Sequence, residues 1–251
     1  MLEVRDLCMR FGGLLAVDGV SVDVHEREIV SIIGPNGAGK TTVFNCISGF
    51  YQPSAGTIKL EGQAIERMPD FKISRLGMVR TFQHVRLFNS MTVLENLLVA
   101  QHRRVNRNLL SGLFMTPNYR RREQEAQDRA VYWLKKVNLL EFANREAGYL
   151  AYGQQRRLEI ARCMVSQPRL LLLDEPAAGL NPRETRELDS LIVSLKEDYN
   201  VSILLIEHDM SLVMGISDRI TVVNQGRPLA TGTPEEIRGN EAVIKAYLGE
   251  A

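Results

Sequence analysis

Nowhere in these 251 residues does an apolar run approach the roughly 20 residues that a membrane-spanning helix requires. An excess of one charge is missing too: 31 basic and 30 acidic residues leave a formal net charge of +1. A nucleic-acid footprint shows a basic surplus, so no nucleic-acid partner is expected. Cysteine is scarce. Cys8, Cys46 and Cys163 lie far apart without metal-ligand spacing and read as buried thiols in a reducing compartment. Glu3, Arg5 and Asp6 interrupt any apolar run at the start, so nothing there reads as a signal peptide. Internal repeats and low-complexity segments are absent. What is present is ordinary for a globular chain, 45% apolar and 24% charged. The expectation is a cytosolic or peripheral protein of one large domain or two small ones, free to dock on a membrane protein.

The most informative stretch is Gly34-Pro35-Asn36-Gly37-Ala38-Gly39-Lys40-Thr41-Thr42. It follows the apolar run 29–33, which reads as a buried strand, and precedes 43–47, which reads as helix. That strand–loop–helix context makes it a phosphate cradle rather than a plain turn. Glycines let backbone N–H groups curl around phosphate oxygens, and the helix N-terminus adds donors. Lys40 is expected to reach the β- and γ-phosphates, and the Thr41 hydroxyl to bind Mg²⁺.

Residues 1–33 alternate as strands, punctuated by Gly12-Gly13 and His25-Glu26-Arg27. Residues 57–60 form a further strand, and 78–83 read as a strand ending at Gln83. The block 92–166 changes character. Thr92 and Glu95 make a capping box, residues 121–137 carry an apolar stripe at helical spacing, and 153–166 read as a third helix. Strands resume at 170–173, 201–206 and 219–223, with a helix over 183–197 and a short one after Gly232-Thr233-Pro234. The expected fold is α/β: a mostly parallel sheet of the P-loop nucleotide triphosphatase type, with an N-terminal antiparallel β portion. One domain over 1–251 is expected, with an α/β core of 1–91 and 167–251 and a helical insertion over 92–166.

Asp174 closes the run Leu170–Leu173, the usual place for a second carboxylate that organises Mg²⁺. Glu175 follows, and adjacent strand residues point to opposite sides, so Glu175 is expected to polarise the attacking water as general base. Gln83 offers an amide to Mg²⁺ or to that water; taken alone it reads as well as a surface glutamine. His208 offers an imidazole to the γ-phosphate, and alone it too reads as a surface histidine. The helix starting near Gly153 presents free backbone N–H groups, which suits either a plain cap or a second anion site for a partner's nucleotide.

In this order the elements resemble the nucleotide-binding domain of ATP-binding cassette (ABC) proteins. GPNGAGKTT matches the phosphate loop, Gln83 the Q-loop and LAYGQ at 150–154 the signature. LLLLDEP at 170–176 matches the second nucleotide motif, AGLN at 178–181 the D-loop, and IEHD at 206–209 the switch-histidine segment. The resemblance covers nearly the whole chain. It implies two cassettes closing head to tail over two ATP molecules, each held between one chain's phosphate loop and the other chain's Ala151, Tyr152, Gly153 and Gln154. It also implies that Phe11 stacks on adenine, although Phe11 reads equally as a core residue. Two positions depart from the pattern: Ala151 stands where the family has serine, and Asn181 where it has aspartate.

LAYGQQRRLEIAR, LLLLDEPAAGLNP, IEHDM and the ending AYLGE resemble the ATPase subunits of bacterial branched-chain amino-acid importers. Related subunits serve urea uptake and lipopolysaccharide export. This resemblance implies integral permease subunits, a second ATPase subunit that is a different chain or another copy of this one, and a place on the cytoplasmic face of the bacterial inner membrane. A soluble DNA-associated ABC ATPase would carry long coiled-coil insertions, which are missing. The segment 103–122, with Arg103, Arg104, Arg107 and Arg120–Arg122 around Leu109, Leu110 and Leu113–Met115, reads as a membrane-facing surface or as a solvated connection.

Overall fold

A computed structural model describes residues 1–83, 85–101 and 116–248. They form two compact units, Met1–Gln83 with Pro168–Ala251, and His84–Gln167. Of the basic and apolar segment, 103–115 lies outside the described residues.

The first unit holds two sheets. Strands β1 (Leu2–Phe11), β2 (Leu14–Val24), β4 (Ala55–Leu60) and β5 (Gln63–Ala64) make an antiparallel sheet in the order β2-β1-β4-β5. The second sheet contains β3 (Ile29–Ile33), β6 (Met78–Arg80), β7 (Leu170–Asp174), β8 (Ser202–Ile206), β9 (Arg219–Asn224) and β10 (Arg227–Gly232). Its order is β10-β9-β3-β8-β7-β6, parallel throughout except for the β9–β10 hairpin. The antiparallel N-terminal portion and the parallel-rich core are both as expected. Every residue of β3, β7 and β8 is buried, which explains why these strands read as unbroken apolar runs.

Helix α1 (Lys40–Ile47) packs Val43, Phe44 and Ile47 into a core that also takes Val4 and Leu7 from β1, Val20 and Val22 from β2, and Ile32 from β3. Phe44 is fully buried, and truncating such a side chain to alanine typically costs about 3–5 kcal/mol. The remaining helices of this unit are α2 (Asp70–Arg75), α6 (Pro182–Tyr199), α7 (Met210–Ile216), α8 (Pro234–Arg238) and α9 (Glu241–Leu248).

The second unit is built on α3 (Val93–Ala100), α4 (Pro117–Lys136) and α5 (Tyr152–Met164). Thr92 caps α3 through the expected box with Glu95. Buried Asn96 fastens the preceding loop: its Oδ1 accepts from the Phe88 N–H at 2.9 Å and its Nδ2 donates to the Phe88 carbonyl at 3.1 Å. Within α5, Arg156 pairs with Glu159 at 3.1 Å, both nearly inaccessible. Burial raises the Glu159 carboxyl against the opposing pull of Arg156.

Three expectations need correction. The strand 78–83 ends at Arg80, so Gln83 lies in a loop beyond it. Cys8 is only half-buried, because it sits in the irregular part of β1 where the pairing register with β2 and β4 shifts. Cys46 and Cys163 are buried as expected, which pushes their thiols up to about 11 and about 12. Finally, Glu175 is not a strand residue facing opposite Asp174. Strand β7 stops at Asp174, and Glu175 turns away with φ +46°.

Candidate functional site

The loop between β3 and α1 turns through three glycines with positive φ, Gly34 (+153°), Gly37 (+79°) and Gly39 (+97°). At Gly39 a Cβ would stand 2.7 Å from the Ala16 carbonyl oxygen, so both the φ and the space require glycine. The same Gly39 is the N-cap of α1. It offers no side-chain oxygen, and the first turn contains no acid. The orphan N–H groups of that turn are therefore left without a side-chain partner.

Lys40 is buried and folds back over the loop. Its Nζ donates to the Gly34 carbonyl at 2.7 Å and to the Pro35 carbonyl at 3.0 Å. Burial pulls its pKa below the usual lysine range, and the negative charge of Glu175 opposes that pull. Residues 36–42 line a cavity of about 460 Å³ together with Leu14, Ala16, Glu175 and Gly226. Thr41, Lys40 and Glu175 thus meet in one cleft.

Asp174 and Glu175 are adjacent in sequence but face different neighbours. Asp174 is buried, and its Oδ2 accepts from Arg80 at 2.6 Å. Arg80 also donates to Asn45 Oδ1 at 2.7 Å and Ser48 Oγ at 2.8 Å, both at α1, and stacks within 6 Å of the rings of Phe44, Phe50 and Phe82. Glu175 is half-buried, and its Oε2 accepts from Gln83 Nε2 at 3.0 Å. Gln83 is thereby brought to the cleft although it stands outside β6.

His208 follows β8 with its side chain largely exposed, Nδ1 3.8 Å from Glu207. Phe11 ends β1, exposed, with its ring 5.3 Å from Tyr51 in an edge-to-face pair. Ala151, Tyr152, Gly153 and Gln154 open α5 in the second unit. Ala151 is the N-cap and contributes no side-chain oxygen, while Gln154 Oε1 accepts from the Ala151 N–H at 3.0 Å. Asn181 N-caps α6, its Oδ1 accepting from the N–H groups of Arg183 and Glu184 at 3.0 and 3.1 Å.

Two residues of this region are absent from the sequence-based site, Arg80 and Glu207. Each had a signal: a charged side chain at the end of an apolar run, Arg80 closing β6 and Glu207 following Ile206 at the end of β8.

A family model described as "ABC transporter" matches residues 17–178, and one described as "Branched-chain amino acid ATP-binding cassette transporter" matches residues 227–251. The chain is 66% identical over 251 residues to the high-affinity branched-chain amino acid transport ATP-binding protein BraF of Pseudomonas aeruginosa, covering 100% of this chain and 98% of that one. Its fold matches a crystal structure of the ADP conformation of an ATP-binding cassette of an ABC transporter, at TM-score 0.86 and 31% identity over 100% of this chain and 99% of the other. It also matches a dimeric post-hydrolysis cassette bound to ADP and Pi, at TM-score 0.77 and 25% identity over 93% and 99%. The glycine-rich loop with its buried lysine, the adjacent carboxylates and these likenesses agree: the chain belongs to the ABC transporter family, as an ATP-binding, ATP-hydrolysing subunit.

Proposed function

We propose that this chain powers a membrane importer of branched-chain amino acids, working at the cytoplasmic face of a bacterial inner membrane with integral permease subunits. The relative at 66% identity, named for high-affinity branched-chain amino acid transport, supports the cargo. The cavity that gathers residues 36–42 with Glu175 supports the chemistry and carries the reading.

ATP fits that cavity by its donors. The uncapped first turn of α1 and the Lys40 ammonium face a space of about 460 Å³, and no acid stands in that turn to compete with phosphate. Lys40 neutralises phosphate charge, its ammonium aimed by two carbonyls. Glu175 takes the proton of the attacking water, and Gln83 holds its carboxylate in place. His208 hydrogen-bonds the γ-phosphate. Phe11 stacks on adenine.

The donors for Mg²⁺ are oxygens of the kind that cation prefers, the Thr41 hydroxyl, the Asp174 carboxylate and the Gln83 amide oxygen. A Mg²⁺ ion held by these oxygens would supply positive charge to offset that developing on the phosphate oxygens.

A second ATPase subunit, different from or identical to this chain, contributes its signature helix to the nucleotide. The start of α5, Ala151 to Gln154, plays the same part toward the partner's ATP. The dimeric cassette among the similar structures supports this pairing. Purification from detergent-solubilised membranes, followed by labelled leucine uptake in vesicles, tests the whole. Integral membrane partners and ATP-dependent uptake are expected; DNA or ribosomes as partners would overturn it.

A further inference from the structure

Glu207 follows the last residue of β8 with about 1% of its surface accessible, and among the described residues no lysine or arginine pairs with it. A carboxylate buried without a cation is costly unless hydrogen bonds replace its water. Here three backbone donors do so. Oε1 accepts from the Ala177 N–H at 2.7 Å, while Oε2 accepts from the N–H groups of His208 at 2.9 Å and Asp209 at 3.3 Å. Ala177 belongs to the loop after β7, two residues past Glu175. His208 belongs to the loop after β8. The strands are parallel neighbours with Asp174 opposite Ile206, so both loops leave the sheet side by side. One further bond joins them, from the Glu175 N–H to the Ile206 carbonyl at 2.9 Å. Asp209 then caps α7 through the N–H groups of Ser211 and Leu212, which ties the far end of the second loop to a helix.

We infer that Glu207 is a positioning residue that fastens the 175–181 loop and His208 into one body, so that the general base and the switch histidine take up their places together. A neutral side chain of the same shape cannot do this. Glutamine keeps one acceptor oxygen but turns an amide N–H₂ toward a backbone N–H, which breaks the clamp on one side. Aspartate keeps the charge but is one methylene too short to span both loops. The inference rests on the roles proposed above for Glu175 and His208.

The test has two parts, both on the full chain. In the wild-type protein, amide hydrogen exchange should show the Ala177, His208 and Asp209 protons opening with one common rate that shifts together when ADP is replaced by a non-hydrolysable ATP analogue. Separate rates, or a shift in one loop alone, would overturn the clamp. Steady-state kinetics then reads its consequence. Glu207→Gln and Glu207→Asp should each lower kcat roughly tenfold while the ATP KM stays within about twofold. Added to a chain already carrying His208→Ala and Glu175→Gln, Glu207→Gln should cost no more than about a further twofold, because both residues it positions are already removed. A full multiplicative loss, or an unchanged kcat, would make Glu207 a stability element only. If the nucleotide site itself were misassigned, Lys40→Ala would leave ATP binding intact while the joint exchange of the two loops persisted, so the two failures are distinguishable.

Discussion

Helices α1 and α5 begin alike and differ from the other helices of the described residues. Thr92, Thr116, Asn181, Asp209 and Thr233 each place a side-chain oxygen on the first turn of their helix, and α2 starts with Asp70. Helix α1 starts at Gly39 and α5 at Ala151; neither has a side-chain cap on its first turn, and neither has an acid in that turn. A serine, threonine or aspartate cap is typically worth about 1 kcal/mol, so these two starts forgo stabilisation that the rest of the chain uses. A helix start left with bare N–H donors and no negative charge is suited to an anion from outside. The two differ in what surrounds them. Around α1 a glycine-rich loop, a buried lysine and a carboxylate complete a site within one chain. The residues leading into α5, 147–151, hold one glycine and no lysine, which suits a site completed by a second chain's nucleotide.

The strongest way to break the comparison is at the chemistry of the complete site. Glu175→Gln should keep ATP binding and slow phosphate release by about 10²-fold or more, the scale of a general base. Near-wild-type turnover would make Glu175 a spectator. Next comes Lys40→Ala, which removes a charge-assisted contact worth about 1.5–3 kcal/mol, so ATP affinity by calorimetry should fall by more than about tenfold. Unchanged affinity would sink the cradle.

Gln154→Glu probes the other helix start. The new carboxylate can still accept from the Ala151 N–H, and its charge should stabilise α5 by about 0.3–1 kcal/mol. The same charge repels a partner's phosphates. The melting temperature should therefore rise slightly while hydrolysis by the assembled pair falls, with single-chain ATP affinity unchanged. A rise in both would show that α5 meets no anion. Ala151→Ser supplies the missing cap oxygen, for about 0.5–1.5 kcal/mol and little change or a modest rise in hydrolysis. A collapse of activity would show that the position has repacked around alanine.

Much of this architecture was legible in the sequence because its signals are local. The phosphate loop announces itself by spacing, the buried parallel strands by unbroken apolar runs, and α3 by its Thr92–Glu95 box. The misreadings arise where distant contacts decide. Gln83 looked like a strand end, but β6 pairs with β7 only as far as Arg80 opposite Leu172, and beyond that the Gln83 side chain turns to Glu175. Different directions for the Asp174 and Glu175 side chains were expected from strand alternation. They diverge instead through the positive φ of Glu175, which one sequence does not reveal. Arg80 and Glu207 passed unnoticed because deciding partners are remote in sequence, Asp174 lying 94 residues from Arg80 and Ala177 30 residues from Glu207. Asn181, which departs from the family's aspartate, keeps the work of capping α6, since the asparagine oxygen accepts from the same two N–H groups that an aspartate would.

The central claim is that the α1 start of one cassette and the α5 start of another share one nucleotide. Light scattering on the Glu175→Gln chain with Mg²⁺ tests it most directly, since the closed state is then not consumed. The measurement is run on the chain alone and again with its co-purified second ATPase subunit. The account predicts a shift from monomer to dimer mass with ATP in at least one of these settings, and no shift with ADP. Association that ignores the nucleotide, or no ATP-driven association in either setting, would contradict it.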